Sequence, residues 1–320
     1  MHRRWWRIHR VSIVWMCLIV LLGTSSCGSS SSTTLTQFSH DGQRYDASLW
    51  SPNGRWLAAE SYDTQTAALF TASGNLVTSF QRGCDLSNGA EDISWLPDGR
   101  FSCFAAATSA HLLYIDTLGQ GGQLKARVHI TAPIPPNTFL YAMQWNPRHF
   151  WLAALATKMP GTMERALYLS DLSGHSLISP VSVDAEELTW SPDGTMLALV
   201  LRNGDTLLLK VEQQTPGRLV LTTIRQLAAG TEQDEPVVWS PSGLWLICRH
   251  GSSESEDYLF LLAADGSGKQ VKLTSSITDG QLDFPAWSPD GKQLMVSRMS
   301  DGVLMSLDIA KLLKAKGVKP

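Results

Sequence analysis

Charge is scarce in this chain. Of 320 residues, 17% are Asp, Glu, Lys or Arg, and 26 Lys+Arg against 29 Asp+Glu leave a net charge of −3. The basic excess that a nucleic-acid face needs is missing, so no nucleic-acid partner is expected. Cysteine is also rare: Cys17, Cys27, Cys84, Cys103 and Cys248 contain no C-x-x-C, which argues against a zinc ribbon or a disulfide framework. The histidines form no H-E-x-x-H, and neither G-x-S-x-G, nor a P-loop, nor G-x-G-x-x-G is present. No catalytic residue can therefore be named from a motif, and no cofactor is implied by one. Long apolar runs are not repeated, which excludes a multi-span membrane protein. A hydrophobic content of 43% excludes a mostly disordered chain.

The one apolar run lies near the start. Arg3, Arg4, Arg7 and Arg10 precede an apolar stretch at 11–23. As a helix it would rise about 20 Å, short of a bilayer core, so residues 1–27 read as an export signal. Gly23, Thr24, Ser25 and Ser26 lead to Cys27, resembling a bacterial lipobox, in which the Cys is lipidated. Thr24 stands where a lipobox usually has Leu, so ordinary cleavage or an uncleaved anchor stays open. Residues 28–34 are Gly, Ser and Thr only and read as a tether. From Cys27 onward, 22 Lys+Arg face 29 Asp+Glu. A segment this acidic is not expected to bind anionic lipid through its surface. Cys84 and Cys103 could pair in an oxidising compartment or be buried as free thiols; Cys248, after Trp245, Leu246 and Ile247, is expected in the core.

A motif then recurs six times: WSPNG from Trp50, WLPDG from Trp95, WNPRH from Trp145, WSPDG from Trp190, WSPSG from Trp239 and WSPDG from Trp287. Pro presets a type I turn, Asp, Asn or Ser bonds the turn backbone, and Gly takes the left-handed position. Seven residues after the Trp stand Leu57, Leu152, Leu197, Leu246 and Leu294, with Ser102 as the exception. Second apolar strands follow, such as Leu112 to Ile115 and Tyr258 to Leu261, and a short closing strand ends the first five units. Four strands per unit at this pitch predict an all-β, six-bladed propeller of four-stranded antiparallel blades over 35–309. The sixth unit lacks its last strand, so residues 34–38 are expected to supply it and close the ring. Residues 310–320 read as a basic tail or short helix. Arg148 and His149 replace the turn Asp and Gly in the third unit, so its hairpin is expected to differ.

The repeats resemble those of the TolB-like, WD-repeat-like propeller family, whose Pro-x-Trp-Ser-Pro-Asp-Gly is matched in full by Pro285, Ala286 and Trp287 through Gly291. No TolB-type α/β domain is expected ahead of the repeats, so the TolB role is not carried over. The resemblance implies binding of envelope proteins or peptides.

Four residues before each motif Trp stand Asp46, Glu91, Tyr141, Glu186, Glu235 and Asp283. Five are acidic and open the innermost strands, so they are expected to ring one channel mouth. They would serve there as a Ca²⁺ or cationic-partner site, or as acceptors for backbone N–H groups that fix the ring. The expected function is a non-enzymatic, monomeric binding scaffold, lipid-anchored on the outer face of a bacterial membrane. The alternative is a metal-assisted hydrolase or lactonase using the acidic mouth.

Overall fold

The computed structural model describes residues 35–61, 66–81, 93–105, 112–131, 138–158, 164–228, 237–251, 257–275 and 279–318. The signal, Cys27, the tether, Cys84, Glu91 and Glu235 lie outside these residues, as does the side chain of Cys103.

Six four-stranded antiparallel sheets form a propeller. Blade 1 holds β2 (Ala47–Trp50), β3 (Trp56–Ser61), β4 (Thr66–Thr71) and β5 (Leu76–Gln81). Blade 2 holds β6 (Ile93–Trp95), β7 (Phe101–Ala105), β8 (Leu112–Leu118) and β9 (Leu124–Thr131). Blade 3 comprises β10 (Thr138–Trp145), β11 (Trp151–Lys158), β12 (Arg165–Asp171) and the two-residue β13 (Val181–Ser182). Blade 4 comprises β14 (Ala185–Trp190), β15 (Met196–Leu201), β16 (Thr206–Thr215) and β17 (Arg218–Leu227). In blade 5 are β18 (Val238–Trp239), β19 (Trp245–His250), β20 (Tyr258–Ala263) and β21 (Gln270–Lys272). Blade 6 has β22 (Leu282–Trp287), β23 (Gln293–Arg298), β24 (Val303–Asp308) and, as its fourth strand, β1 (Leu35–Gln37). The expected closure is therefore observed, with Leu35 opposite Leu307 and Gln37 opposite Met305. The C-terminal segment forms helix α1 (Ile309–Ala315), capped by the Asp308 side chain and buried through Ile309, Leu312 and Leu313.

The core lies between blades rather than within them. Each of six apolar clusters joins two neighbouring blades and contains the motif Trp of the later one. Alternation along a strand divides it between two clusters. In β3, Leu57 and Ala59 face blade 6, whereas Trp56 and Ala58 face blade 2. In β15, Leu197 and Leu199 face blade 3, whereas Ala198 and Val200 face blade 5. Cys248 is fully buried in the cluster between blades 4 and 5, and burial pushes its thiol far above the usual range.

The turn chemistry is also observed. Ser288 Oγ accepts from the Gln293 amide at 2.9 Å and donates to Asp290 Oδ1 at 2.7 Å, and Asp290 accepts from the Lys292 amide. Ser51 and Asn53, Ser191 and Asp193, and Ser240 and Ser242 build the same corner. Blade 2 has Leu96 in place of this Ser. Without the hydroxyl its hairpin closes one residue earlier, through Leu96 N–H to Arg100 O, where the others span from Ser51 to Trp56. Trp95 then pairs with Phe101, not Ser102. A one-residue change reverses the faces, so Phe101 takes the place of the repeat leucine and Ser102 turns toward blade 3. The third hairpin differs as expected: Asn146 Oδ1 accepts from the Arg148 and His149 amides, and Nδ2 donates to Gly194 O of blade 4. Gly194 has φ +73°, and a Cβ there would meet Asn146 Oδ1 at 2.5 Å.

Phe38, directly after β1, packs edge-on against Trp50 and Phe70 in the cluster that joins blades 6 and 1. Phe38→Ala is expected to destabilise the propeller by about 3–5 kcal/mol, by lost burial plus a cavity at the ring seam. Urea unfolding monitored by tryptophan fluorescence checks this. A change below about 1 kcal/mol would mean the seam is not held by Phe38.

Candidate functional site

The six innermost strands surround a central cavity of about 430 Å³. All six motif tryptophans line it, and Pro52, Pro147, Pro192, Pro241 and Pro289 stand beside them. Among the described residues, its ionisable lining groups are Glu60, Arg148 and Glu187.

The indoles are tied backward around the ring. Trp95 Nε1 donates to Leu49 O of blade 1 (3.1 Å), Trp145 Nε1 to Ser102 Oγ of blade 2 (2.9 Å), and Trp190 Nε1 to Gln144 O of blade 3 (3.1 Å). Residues just before the Trp reach forward. Ser94 Oγ accepts from the Trp145 amide, and Gln144 Oε1 accepts from the Trp190 amide. The indole N–H groups of Trp50, Trp239 and Trp287 are buried without such an acceptor, so those interfaces rely on apolar contact at this point.

The structure places the predicted acidic residues as follows. Asp46 precedes β2, its amide donating to Glu60 O at 2.8 Å. Glu186 is the extra residue of a β-bulge in β14, where the register steps from Ala185 to Glu187. The bulge re-aims its side chain, which meets Arg165 of blade 3 at 2.5 Å and Arg202 at 3.5 Å. Asp283 borders a second bulge, in β22, where Phe284 has φ +52°. Its carboxylate is 1% exposed and reaches Arg249 of blade 5 at 3.3 Å, while Arg249 also makes two bonds to the buried Asp257. Tyr141 is the extra residue of a third bulge, in β10. Asp46, Glu186 and Asp283 are not among the cavity-lining residues, and among the described residues no group of three or more His, Cys, Asp or Glu side chains is close enough to hold a metal. Glu187 and Phe284, which do line the cavity, escaped the sequence reading because nothing in the sequence marks a bulge; Glu60, in the regular second strand of blade 1, lies outside the innermost-strand positions the repeat pointed to.

His149, in the atypical turn, is exposed and stacks on Trp151 at 4.1 Å. Among the described residues no helix is long and apolar enough to cross a membrane.

Residues 97–279 match the family described as the lipoprotein LpqB beta-propeller domain, which is more than half of the chain. The chain belongs to this family. No curated protein matches it. Solved structures similar to this LpqB-type propeller include a gluconolactonase from Xanthomonas campestris, at 12% identity over 87% of this chain and 90% of that one, with TM-score 0.60. Hydrazine synthase of Kuenenia stuttgartiensis aligns at 15% identity over 92% of this chain and 84% of that one, with TM-score 0.55. TolB from Acinetobacter baumannii aligns at 18% identity over 81% of this chain and 62% of that one, with TM-score 0.48. At these identities the likeness to the first two shows the propeller fold alone.

Two predictions follow the polar contacts. Ser102→Ala should cost about 1–2 kcal/mol by stranding the Trp145 indole N–H, whereas Arg249→Met should cost about 3–5 kcal/mol by leaving Asp257 and Asp283 buried without their cation. Chemical denaturation of both variants tests the ranking; an Arg249→Met protein as stable as wild type would show that the buried cluster contributes nothing net.

The turn carboxylates make a pH prediction. The Ser288 hydroxyl and the Lys292 amide hold Asp290 below the usual carboxylate range, and Arg298 does the same for Asp301. A carboxyl depressed on folding stabilises above its unfolded value and loses that contribution as pH falls through the folded one. Melting temperature should therefore fall below about pH 4. Asp290→Asn, which copies the Asn53 turn, should fold normally at pH 7 and flatten part of that fall. An unchanged acid limb in this variant would remove Asp290 from the explanation.

Proposed function

We propose that this LpqB-type propeller is an envelope scaffold, anchored through Cys27 on the outer face of the membrane and binding a protein or peptide partner as a monomer. Membership of a lipoprotein propeller family carries this reading. The export signal, the small residues before Cys27 and the tether at 28–34 support the anchor. The geometry supports a scaffold. Glu186 is occupied with Arg165 of blade 3 and Asp283 with Arg249 of blade 5, both across blade boundaries where they stiffen the disc, and Glu186 also meets Arg202 of its own blade. A rigid disc with variable loops suits partner binding.

Among the described residues, Glu60 and Glu187 are the carboxylates that line the cavity and that a metal-assisted hydrolase would draw on. The gluconolactonase likeness does not favour it, because it shows the fold alone. Ca²⁺ is therefore expected to leave the melting temperature unchanged; a saturable rise would turn the reading toward the enzyme.

The decisive comparison is membrane fractionation with crosslinking for the intact protein and Cys27→Ala. The variant should leave the membrane fraction and lose its membrane crosslinks. If it fractionates with membranes as before and carries no lipid difference by mass, the anchor is wrong.

A further inference from the structure

Lysine is unevenly placed. Seven of the ten lysines fall in the stretch 269–319, and residues 265–320 hold eight basic against six acidic residues in an otherwise acidic chain. The fold gathers five of the seven at one corner; Lys272 faces blade 4, over the Tyr258 ring, and Lys319 lies outside the described residues. Helix α1 buries Ile309, Leu312 and Leu313 in the cluster shared by blades 5 and 6. That leaves Lys311, Lys314 and Lys316 exposed on its outer side. Trp245 and Leu294 belong to the same cluster. Exposed Lys269 lies over the Trp245 ring at 5.6 Å, and exposed Lys292, whose carbonyl accepts from the Ile309 amide of α1, stands two residues before Leu294. The nearby acids are partly engaged: Asp308 caps the helix through the Lys311 amide, and Asp290 closes its own turn and meets Lys292 at 3.1 Å.

The chain enters the propeller at this same corner. Leu35 pairs with Leu307, two residues before α1 begins. The helical lysines lie within about 20 Å of Leu35 by strand spacing and helical rise. Eight peptide links separate Cys27 from Leu35, a reach of at most about 28 Å however the segment runs. An anchored chain is thus obliged to hold this corner near the bilayer.

We propose that the lysine corner formed by α1 and blades 5 and 6 rests on an anionic phospholipid surface and sets the orientation of the propeller on its membrane. The proposal rests on the anchored reading above. It limits the general expectation from net charge: the surface as a whole is acidic, but the part that the tether presents is basic. Each lysine near an anionic surface strengthens attraction about fivefold, and the effect vanishes beyond a Debye length.

Lysine footprinting tests this on the chain purified from membranes and reconstituted in vesicles. One vesicle set is phosphatidylcholine alone, the other contains about 30% phosphatidylglycerol as the anionic lipid. A water-soluble acylating reagent is read out by peptide mass. Lys311, Lys314 and Lys316 should react about fivefold more slowly on the anionic vesicles, and the protection should disappear at about 0.5 M salt. Lys125 on β9 and Lys210 on β16 should react equally on both. Replacing Lys311, Lys314 and Lys316 together by Gln, all at exposed positions, should abolish the protection of Lys269 and Lys292. Equal reactivity on the two vesicle types overturns the proposal, as does protection that spreads evenly to Lys125 and Lys210. Flotation with phosphatidylcholine vesicles reports the anchor separately, since a lipid chain needs no anionic partner. If that flotation fails, the anchored reading falls. The corner is then decided by flotation with the anionic vesicles: loss in the triple Gln variant upholds it, and no difference overturns it.

Discussion

Burial between blades is the constraint on which everything else depends. A four-stranded sheet this small buries neither of its faces by itself. Among the described residues every apolar cluster is built from two sheets, and the motif tryptophan sits in the cluster shared with the preceding blade. With both faces of each sheet apolar, any gap in the ring would expose two such faces at roughly 25 cal/mol per Å². Closure is therefore a condition of stability. It also explains why the seam between blades 6 and 1 carries Phe38, Tyr45, Trp50 and Phe70 together.

Apolar burial alone would let neighbouring blades slide, and directional contacts prevent this. Between blades 1 and 4 they are indole and amide bonds, among them Trp95 to Leu49, Trp145 to Ser102 and Trp190 to Gln144. Between blades 3 and 4, and between blades 5 and 6, they are ion pairs, Glu186 with Arg165 and Asp283 with Arg249. A buried ion pair adds little net stability but strongly penalises loss of one partner, which suits it to fixing register. The scarce charge of this chain is thus spent partly on geometry.

The fold was legible because its signal repeats. Six tryptophan turns in phase outweigh any single ambiguous segment, and the missing last strand of the sixth unit pointed to β1. What was not legible turns on single residues. Leu96 shortens one hairpin and so exchanges the roles of Phe101 and Ser102. A bulge at Glu186 sends that side chain to Arg165 and puts Glu187 on the cavity instead. Neither event alters composition or spacing by more than one position, yet each reverses which face a side chain occupies. The long β16–β17 hairpin was missed for another reason. Its continuation beyond Val211 is Glu, Gln, Gln and Thr, all exposed, which carries no strand periodicity, while Val211 and Leu219 are buried against blade 3.

The same topology decides where force would enter an anchored propeller. A load on residue 35 is carried first by the three pairs between β1 and β24, a short ladder that would peel from its end. Behind it stands Phe38, whose amide bonds Leu304 O and whose ring is locked among Trp50 and Phe70. Next comes Tyr45, whose amide bonds Gly302 O and whose carbonyl accepts from Ser297. The segment between β1 and β2 thus crosses from blade 6 to blade 1 with a buried aromatic at each end. Strain on the tether and opening of the ring are coupled through this segment, so a surface that carries the nearby corner would also relieve the strand that closes the disc.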